Sequence, residues 1–224
     1  RLPEELMPPS LGKLWAKRGL FARLARIGTS ARGRGPVTEV VESPPRLERL
    51  PALRTWPRDG GRFVTLPLVH TAEPETGVPN LGMYRMQLHE GERASDPTGA
   101  CARTGMHVQI HRGAGFHLSR AEERGTALPM NVHLGGPPAL ILAAIAPLPE
   151  NVPELLLASL LVRRRLALAA NPAGPLPFVA DCEFALVGRV PPGVRKPEGP
   201  FGDHYGFDSE THDFPVFECE RLFR

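Results

Sequence analysis

Two carboxylates and one arginine in this sequence have the residue types needed for proton transfer. Glu198 and Asp203 stand on either side of a Gly-Pro-Phe-Gly turn at residues 199–202, which no regular helix could contain. Arg85 lies far upstream, in the segment 80–87. An arginine between two acids keeps one carboxylate ionised while the other passes a proton. The three residues therefore predict acid–base chemistry.

Four segments of the chain, taken in order, resemble the UbiD family, decarboxylases that use prenylated flavin mononucleotide (prenylated FMN). The segments are NLGMYRMQ at 80–87, TGMHVQIHRGAG at 104–115, LGGPPALILAAIAPLPENVPELLLASLL at 134–161 and PEGPFGDHYG at 197–206. The first has the family's asparagine, with an arginine five residues later. Because the motifs occur in the family's order over most of the chain, roughly residues 37–216, the resemblance is specific.

The resemblance implies a fold and an activity. The implied fold is α+β, a split β-barrel of the FMN-binding type with short helices at residues 36–224, preceded by a basic helical linker at residues 1–35. The implied activity is the reversible, non-oxidative decarboxylation of an unsaturated or aromatic carboxylic acid. Because no side chain in the sequence can accept the electrons that CO₂ leaves behind, a cofactor has to supply that sink.

The site residues are carried over from the family position by position. Mn²⁺ or Mg²⁺, with K⁺ nearby, would bridge the flavin phosphate to three ligands: Asn80, His111 and Glu154. Such an oxygen-rich set suits these metals better than zinc. The flavin would contact Asn80, Met83, Tyr84, Arg85, Gln109, His111, Ala146, Pro147 and Glu154. Arg85, Glu198 and Asp203 would form the ionic triad, with Asp203 as the proton donor and Glu198 as the group that orients Arg85.

Ordinary interpretations of the same residues stay open. A single histidine near a strand end is commonly a core or surface residue, and Glu154 at the start of a helix is a favourable charge for the helix dipole. His107 and His111 have the spacing of a zinc helix, but their segment is typical of a strand. For the whole chain, the alternative is a non-catalytic flavin-binding or scaffold domain, or a truncated subunit that needs a partner chain.

The composition indicates an ordinary globular chain, and the small-molecule substrate is what the resemblance implies. The chain has 224 residues, 42% hydrophobic and 23% charged, and its net charge of +3 is too small to predict a nucleic-acid partner. Three widely spaced cysteines argue against a disulfide framework and favour the cytoplasm. The longest apolar run, at 139–148, is too short for an integral membrane segment.

Many short elements must position the candidate residues, because the chain contains 26 prolines and 23 glycines. Hydrophobic patterns predict strands at 63–69, 78–88, 106–111, 132–134, 166–170, 178–179 and 183–190, and helices at 119–124, 138–146 and 154–163. Residues 1–35 carry eight basic and two acidic side chains, a net charge of 8 − 2 = +6, with apolar residues at helical spacing. They predict a helix packed on a neighbouring domain, with a membrane-surface or nucleic-acid helix as the alternative.

Family members also have an N-terminal α/β part and a C-terminal domain that closes over the flavin, and neither is recognisable in this sequence. We therefore expect a homo-oligomer, or a partner subunit that supplies the C-terminal domain. We also expect exposed apolar surface around residues 11–27 and 214–223, which such partners would cover.

Overall fold

The computed structural model describes residues 11–93, 102–109, 113–149 and 152–224. Two short helices begin it, α1 (Leu11–Ala16) and α2 (Arg18–Leu24). The strands that follow are β1 (Thr29–Arg32), β2 (Val41–Glu42), β3 (Phe63–Val64), β4 (Leu68–Ala72), β5 (Pro79–Met83), β6 (Met86–Arg93) and β7 (Ala102–Met106). Then come α3 (Gly113–Glu123), β8 (Leu128–Leu134), α4 (Ala139–Ile145), α5 (Glu154–Val162), β9 (Leu166–Ala169), β10 (Phe178–Val179), β11 (Phe184–Val190), β12 (Arg195–Glu198) and β13 (His212–Phe223).

Most of the strands form one large, mainly antiparallel sheet. Its order is β3-β6-β7-β13-β11-β8-β4-β5, and β2 and β12 also pair with β13. A second sheet has the order β1-β9-β10, in which β1 and β9 run parallel. In the described ranges no ladder joins β3 to β5, so the large sheet does not close into a continuous barrel. A sheet-rich domain with a few short helices confirms the predicted α+β class. None of the helices in these ranges is long and apolar enough to span a bilayer.

Helices α4 and α5 hold the edge strand β5 in place. Their buried residues Leu140, Ala143, Leu155 and Ala158 pack with Leu68 of β4 and Leu81 of β5. Burial of a leucine side chain typically stabilises a fold by about 1.5–3 kcal/mol, so this contact is a strong one. The same packing places Glu154, the first residue of α5, beside β5.

The boundaries of several elements differ from the sequence-based expectation. The predicted strand 106–111 ends at Met106 in the described residues, and the predicted helix 119–124 begins earlier, at Gly113. In the sequence, the glycines at 113 and 115 are typical of a bend. In the structure they belong to α3, and Ala114 and Gly115 are buried where this helix packs against β4 and β5. Close packing of small residues therefore outweighs the low helix propensity of glycine.

Part of the predicted helical linker is a strand. Residues 29–32 form β1 and pair with β9, from Thr29 beside Leu166 to Arg32 beside Ala169. The basic composition of residues 1–35 hid this short extended segment, which has no alternating pattern of its own. Helices α1 and α2 do occupy the first part, and Trp15 is 70% exposed there.

The expected exposure of residues 214–223 is wrong. This segment belongs to β13, which lies inside the large sheet between β7 and β11. Phe217 and Phe223 are therefore fully buried. The hydrophobic pattern of this segment arises from its central position in the sheet and needs no partner to explain it.

Two buried histidines make the sheet sensitive to acid. His70 on β4 and His133 on β8 have ring centroids 6.1 Å apart. Burial lowers the pKa of His70 to about 4 and that of His133 to about 3. The amide of Val179 donates to His133 Nε2 at 3.3 Å, which requires that this nitrogen carry no proton.

The free energy of unfolding is expected to fall as the pH drops below about 6.5, the usual histidine pKa. The unfolded chain then takes up protons that the folded rings do not bind, and the loss continues to about pH 4 for His70 and about pH 3 for His133. Urea unfolding across this range should show a total loss of several kcal/mol, about 1.4 kcal/mol for each unit of pKa difference. The variants His70→Asn and His133→Asn should flatten the slope, whereas the exposed control His204→Asn should not. Unchanged slopes in both core variants would contradict the prediction.

Candidate functional site

Arg85 and Glu198 form a buried ion pair. Arg85 lies in the short link between β5 and β6, and Glu198 is the last residue of β12. Arg85 Nε donates to Glu198 Oε1 at 2.9 Å, and Nη2 donates to Oε2 at 3.2 Å. The carboxylate side chain is fully buried, and the arginine side chain is 18% exposed. The geometry is the bidentate one that makes arginine–carboxylate hydrogen bonds strong.

The pair keeps Glu198 ionised. Burial alone would raise the pKa of Glu198, but hydrogen bonds from His107 and Arg85 more than offset burial, so the pKa lies below its ordinary value. At neutral pH this carboxylate therefore carries a charge and has no proton to give. Its chemistry is that of an acceptor that holds Arg85 in one orientation.

His107 and Ser209 complete this cluster, and neither was expected from the sequence. His107 Nδ1 lies 3.3 Å from Glu198 Oε2 and 3.1 Å from Arg85 Nη2, so it either donates to the carboxylate or accepts from the guanidinium. Ser209 Oγ accepts from Arg85 Nη2 at 3.2 Å. The ring of Phe201 lies 4.5 Å from the guanidinium carbon. No sequence motif marks His107 or Ser209, because their partners Arg85 and Glu198 come from distant segments of the chain.

Asp203, the second predicted acid, lies on the neighbouring turn. Its Oδ1 accepts from the amides of Tyr205 at 2.8 Å and Phe207 at 3.1 Å. In the described part of the chain, the carboxylate that receives hydrogen bonds from Arg85 is that of Glu198. The structure therefore brings together two members of the predicted triad, Arg85 and Glu198. The carboxylate of Asp203 instead accepts hydrogen bonds from backbone amides of its own turn.

Five of the predicted cofactor-binding residues line one cleft of about 1260 Å³. They are Asn80, Tyr84, Ala146, Pro147 and Glu154. The cleft lies between β5, the start of α3 and the connection from α4 to α5. Met83, Arg85 and Gln109 are not among its lining residues, although Arg85 directly follows Tyr84. His111 falls outside the described residues.

Two of the three predicted metal ligands, Asn80 and Glu154, line this cleft. The amide of Leu81, next to Asn80, donates to Glu154 Oε2 at 3.1 Å and so holds the carboxylate beside β5. Asn80 Nδ2 is buried without a hydrogen-bond partner, and a Cβ on Gly113 would collide with Asn80 Oδ1. An amide oxygen and a carboxylate are ligands that Mn²⁺ and Mg²⁺ accept, so the two described residues fit such a metal. In the ranges that the structure describes, no group of three His, Cys, Asp or Glu side chains is placed to hold a metal ion.

Comparison with known proteins identifies similar sequences. Residues 29–224 match the family described as UbiD: 3-octaprenyl-4-hydroxybenzoate carboxy-lyase Rift-related domain. An uncharacterised protein of Chlamydia trachomatis is 48% identical over 218 residues, which are 96% of this chain and 36% of the relative. A protein of Chlamydia pneumoniae that is named as a 4-hydroxybenzoate decarboxylase subunit is 45% identical over 215 residues, 96% of this chain and 35% of the relative. The chain thus spans about a third of the length of these curated relatives.

Solved structures show the same fold. HmfF of Pelotomaculum thermopropionicum, a UbiD-class enzyme solved in complex with prFMN as an evolved dimeric form, superposes with a TM-score of 0.78 at 26% identity, over 92% of this chain and 48% of that one. The same enzyme was also solved with FMN, with a TM-score of 0.79. The vanillic acid decarboxylase ShVdcCD of Sedimentibacter hydroxybenzoicus, in its closed form, has a TM-score of 0.79 at 24% identity, over 97% of this chain and 46% of that one.

Proposed function

The chain belongs to the UbiD family, and from that premise we propose that it is the flavin-binding domain of an enzyme that decarboxylates aromatic or unsaturated carboxylic acids. The proposed reaction is reversible and involves no net oxidation. The observation that carries the proposal is the buried ion pair between Arg85 and Glu198. Arg85 directly follows Tyr84, which lines the cleft. A relative named as part of a decarboxylase, 45% identical to this chain, supports the reaction class.

We assign prenylated FMN to the cleft. HmfF, a relative by structure at 26% identity, was solved with prFMN and with FMN. Helix α3 begins at Gly113 on the wall of the cleft, and the N-terminus of a helix favours a phosphate group. When bound, the modified flavin supplies the electron sink that decarboxylation needs and that the side chains lack.

A divalent metal completes the proposed cofactor site. Asn80, His111 and Glu154 would hold Mn²⁺ or Mg²⁺, with K⁺ nearby, and the metal would neutralise the charge of the flavin phosphate. The support from this structure is that Asn80, whose side-chain oxygen is a ligand type that these metals accept, and the carboxylate of Glu154 line the same cleft. Both belong to segments that are rigidly packed, β5 and the start of α5.

Replacing Gly113 with alanine is expected to weaken Mn²⁺ binding about tenfold or more, because the new Cβ would displace the amide of Asn80. The affinity can be measured by titration calorimetry on the purified protein, with circular dichroism to show that it is folded. Gly12→Ala is the matched control, since a Cβ there would meet no atom within 4 Å. A folded Gly113→Ala protein with wild-type Mn²⁺ affinity would remove Asn80 from the ligand set.

The protein residues have separate roles in the proposed reaction. Ionised Glu198 holds the guanidinium of Arg85 in one orientation. The guanidinium in turn orients the substrate carboxylate. Asp203 returns a proton to the carbon that has lost CO₂, as the general acid. Because Glu198 is held in its charged form, it cannot serve as that acid at neutral pH.

The proposed enzyme also needs further protein, either another part of the same polypeptide or a partner subunit. The matched relatives are about three times as long as the matched region, and one of them is named as a subunit of its enzyme. Helices α4 and α5 expose Leu142, Ile145, Leu160 and Leu161. Exposed apolar side chains in such a group are typical of a surface that another protein covers. A homo-oligomer is a second way to cover them.

The test is purification from cells that make prenylated FMN, followed by an absorbance spectrum and metal analysis. We expect a flavin spectrum, bound Mn²⁺ and, with any partner chain present, decarboxylation or substrate hydrogen–deuterium exchange on a panel of aromatic and unsaturated acids. A protein that binds the flavin but catalyses neither reaction would support the alternative, a scaffold domain. A protein that binds no flavin would contradict the proposal.

A further inference from the structure

Asp59, which precedes Gly60 and Gly61, is buried and hydrogen-bonded to two separate segments of the chain. Asp59 is 1% exposed, and three backbone amides donate to its carboxylate. Thr55 and Trp56 donate to Oδ2 at 2.9 and 2.8 Å, and Gly202 donates to Oδ1 at 2.9 Å. One oxygen therefore closes a local loop at residues 55–59, and the other reaches the turn that carries the two predicted acids.

Further contacts fasten the same two segments together. We call residues 55–60 the Asp59 loop and residues 199–202 the acid turn. The amide of Gly60 donates to the carbonyl oxygen of Pro200 at 2.8 Å. A Cβ on Gly60 would collide with the carbonyl of Gly199, and a Cβ on Gly202 would collide with the ring of Trp56. Glycine is thus required on both sides of the contact, because the two backbones approach closely.

The acid turn joins Glu198 to Asp203, so its position sets the distance between the two carboxylates. Its first amide, at Gly199, donates to Gln87 Oε1 at 2.8 Å. Its third residue, Phe201, donates to Ser209 Oγ at 3.0 Å, and that oxygen also accepts from Arg85. The fourth residue, Gly202, is held by Asp59 and directly precedes Asp203. Of these anchors, the one at Asp59 is nearest in sequence to the proposed acid.

We propose that Asp59 is a positioning residue for the reaction: it fixes the acid turn so that Asp203 is presented at a defined place relative to the Arg85–Glu198 pair. The proposal rests on the decarboxylase function proposed above. Asp59 itself does not touch substrate or cofactor in this role, and acts through the amide of Gly202. Displacement of a catalytic group by about 1 Å can lower a rate about a hundredfold, so an anchor of this kind has a measurable effect.

The test compares Asp59→Asn, Asp59→Ala and Gly60→Ala with the unmutated protein, each as the assembled, flavin-loaded enzyme. Asparagine keeps one acceptor oxygen and places an amide group opposite an N–H donor, whereas alanine removes both acceptors. Gly60→Ala pushes the acid turn away without removing the buried carboxylate, and so covers the case in which the Asp59 variants fail to fold. Asp208→Asn is the control: it removes the ion pair between Asp208 and Arg58 of the Asp59 loop, whose side chains are 24% and 77% exposed, and exposed ion pairs contribute only about 0–1 kcal/mol.

Three readouts decide the proposal. We expect faster amide hydrogen exchange at residues 199–207, a kcat lowered about tenfold to a hundredfold with KM and the flavin spectrum unchanged, and a smaller loss for Asn than for Ala. Asp208→Asn should change none of these. Wild-type exchange at 199–207 in the variants, or faster exchange with full kcat, would overturn the proposal. If the unmutated enzyme is inactive, the proposed function fails, and amide exchange alone still decides whether Asp59 fixes the turn.

Discussion

Replacing Arg85 with alanine is expected to lower the free energy of unfolding by about 3–5 kcal/mol at neutral pH, because it leaves a buried carboxylate without its cation. Glu198 is fully buried and receives two hydrogen bonds from Arg85. Without them, the pKa of Glu198 should rise, because only the interaction with His107 then offsets burial. Urea unfolding at several pH values measures the effect. The loss should be smaller below about pH 4, where Glu198 takes up a proton in the unfolded chain too.

A second substitution separates the energy of the Arg85–Glu198 interaction from the contributions of the two single side chains. Glu198→Gln removes the charge, so Arg85→Ala in that background should cost much less than in the unmutated protein. The matched control is Arg164→Ala, which breaks an ion pair with Asp181 whose side chains are 53% and 33% exposed. Exposed pairs of this kind contribute about 0–1 kcal/mol. Equal losses for Arg85→Ala and Arg164→Ala would show that the buried pair is not formed in solution.

Part of this site could be predicted from the sequence, because two of its residues lie on one short segment of the chain. The Gly-Pro-Phe-Gly turn shows that Glu198 and Asp203 lie at the two ends of one bend, and it forbids a helix there. A motif match then supplies the long-range partner Arg85, whose pairing with Glu198 the structure contains. Composition and periodicity alone could not supply it, because the two residues are 113 positions apart.

The contributions of His107 and Asp59 could not be predicted for a different reason. His107 was expected inside a strand, but β7 ends at Met106, and the amide of His107 instead donates to the carbonyl of Arg85. Because His107 lies beyond the end of β7, the alternation of side chains along a strand does not fix the direction of its ring. In the sequence, Asp59 precedes two glycines, as is typical of an ordinary turn. Its role depends on the amide of Gly202, which is distant in sequence and carries no side-chain signal.

The cleft shows the same limit. Pro153 predicts the start of α5 at Glu154, and the structure has that boundary. The sequence of α5 is apolar on all sides and therefore does not indicate which face packs against the sheet. The contact between Glu154 and the amide of Leu81 follows from the packing of α4 and α5 on β4 and β5. This packing is a tertiary interaction that the local sequence does not determine.

Asp203 is the proposed general acid. Asp203→Asn is expected to lower the decarboxylation rate by about a hundredfold to ten-thousandfold, because an amide cannot return a proton to carbon. The substitution is a clean probe of chemistry. Asp203 Oδ1 accepts from the amides of Tyr205 and Phe207, and the carbonyl oxygen of asparagine can accept both hydrogen bonds. The turn should therefore keep its geometry while the acid is lost.

The measurement uses the assembled enzyme with flavin and Mn²⁺ shown to be bound, and it records both decarboxylation and hydrogen–deuterium exchange on the substrate. Exchange should fall with decarboxylation, since both need a proton delivered to the same carbon. Asp208→Asn, in the same loop, should keep both rates. A full rate for Asp203→Asn would show that another group supplies the proton. Glu198 would be a poor replacement, because Arg85 and His107 hold it in its charged form. His107, whose Nδ1 lies 3.3 Å from Glu198 Oε2, would then be the first candidate to test.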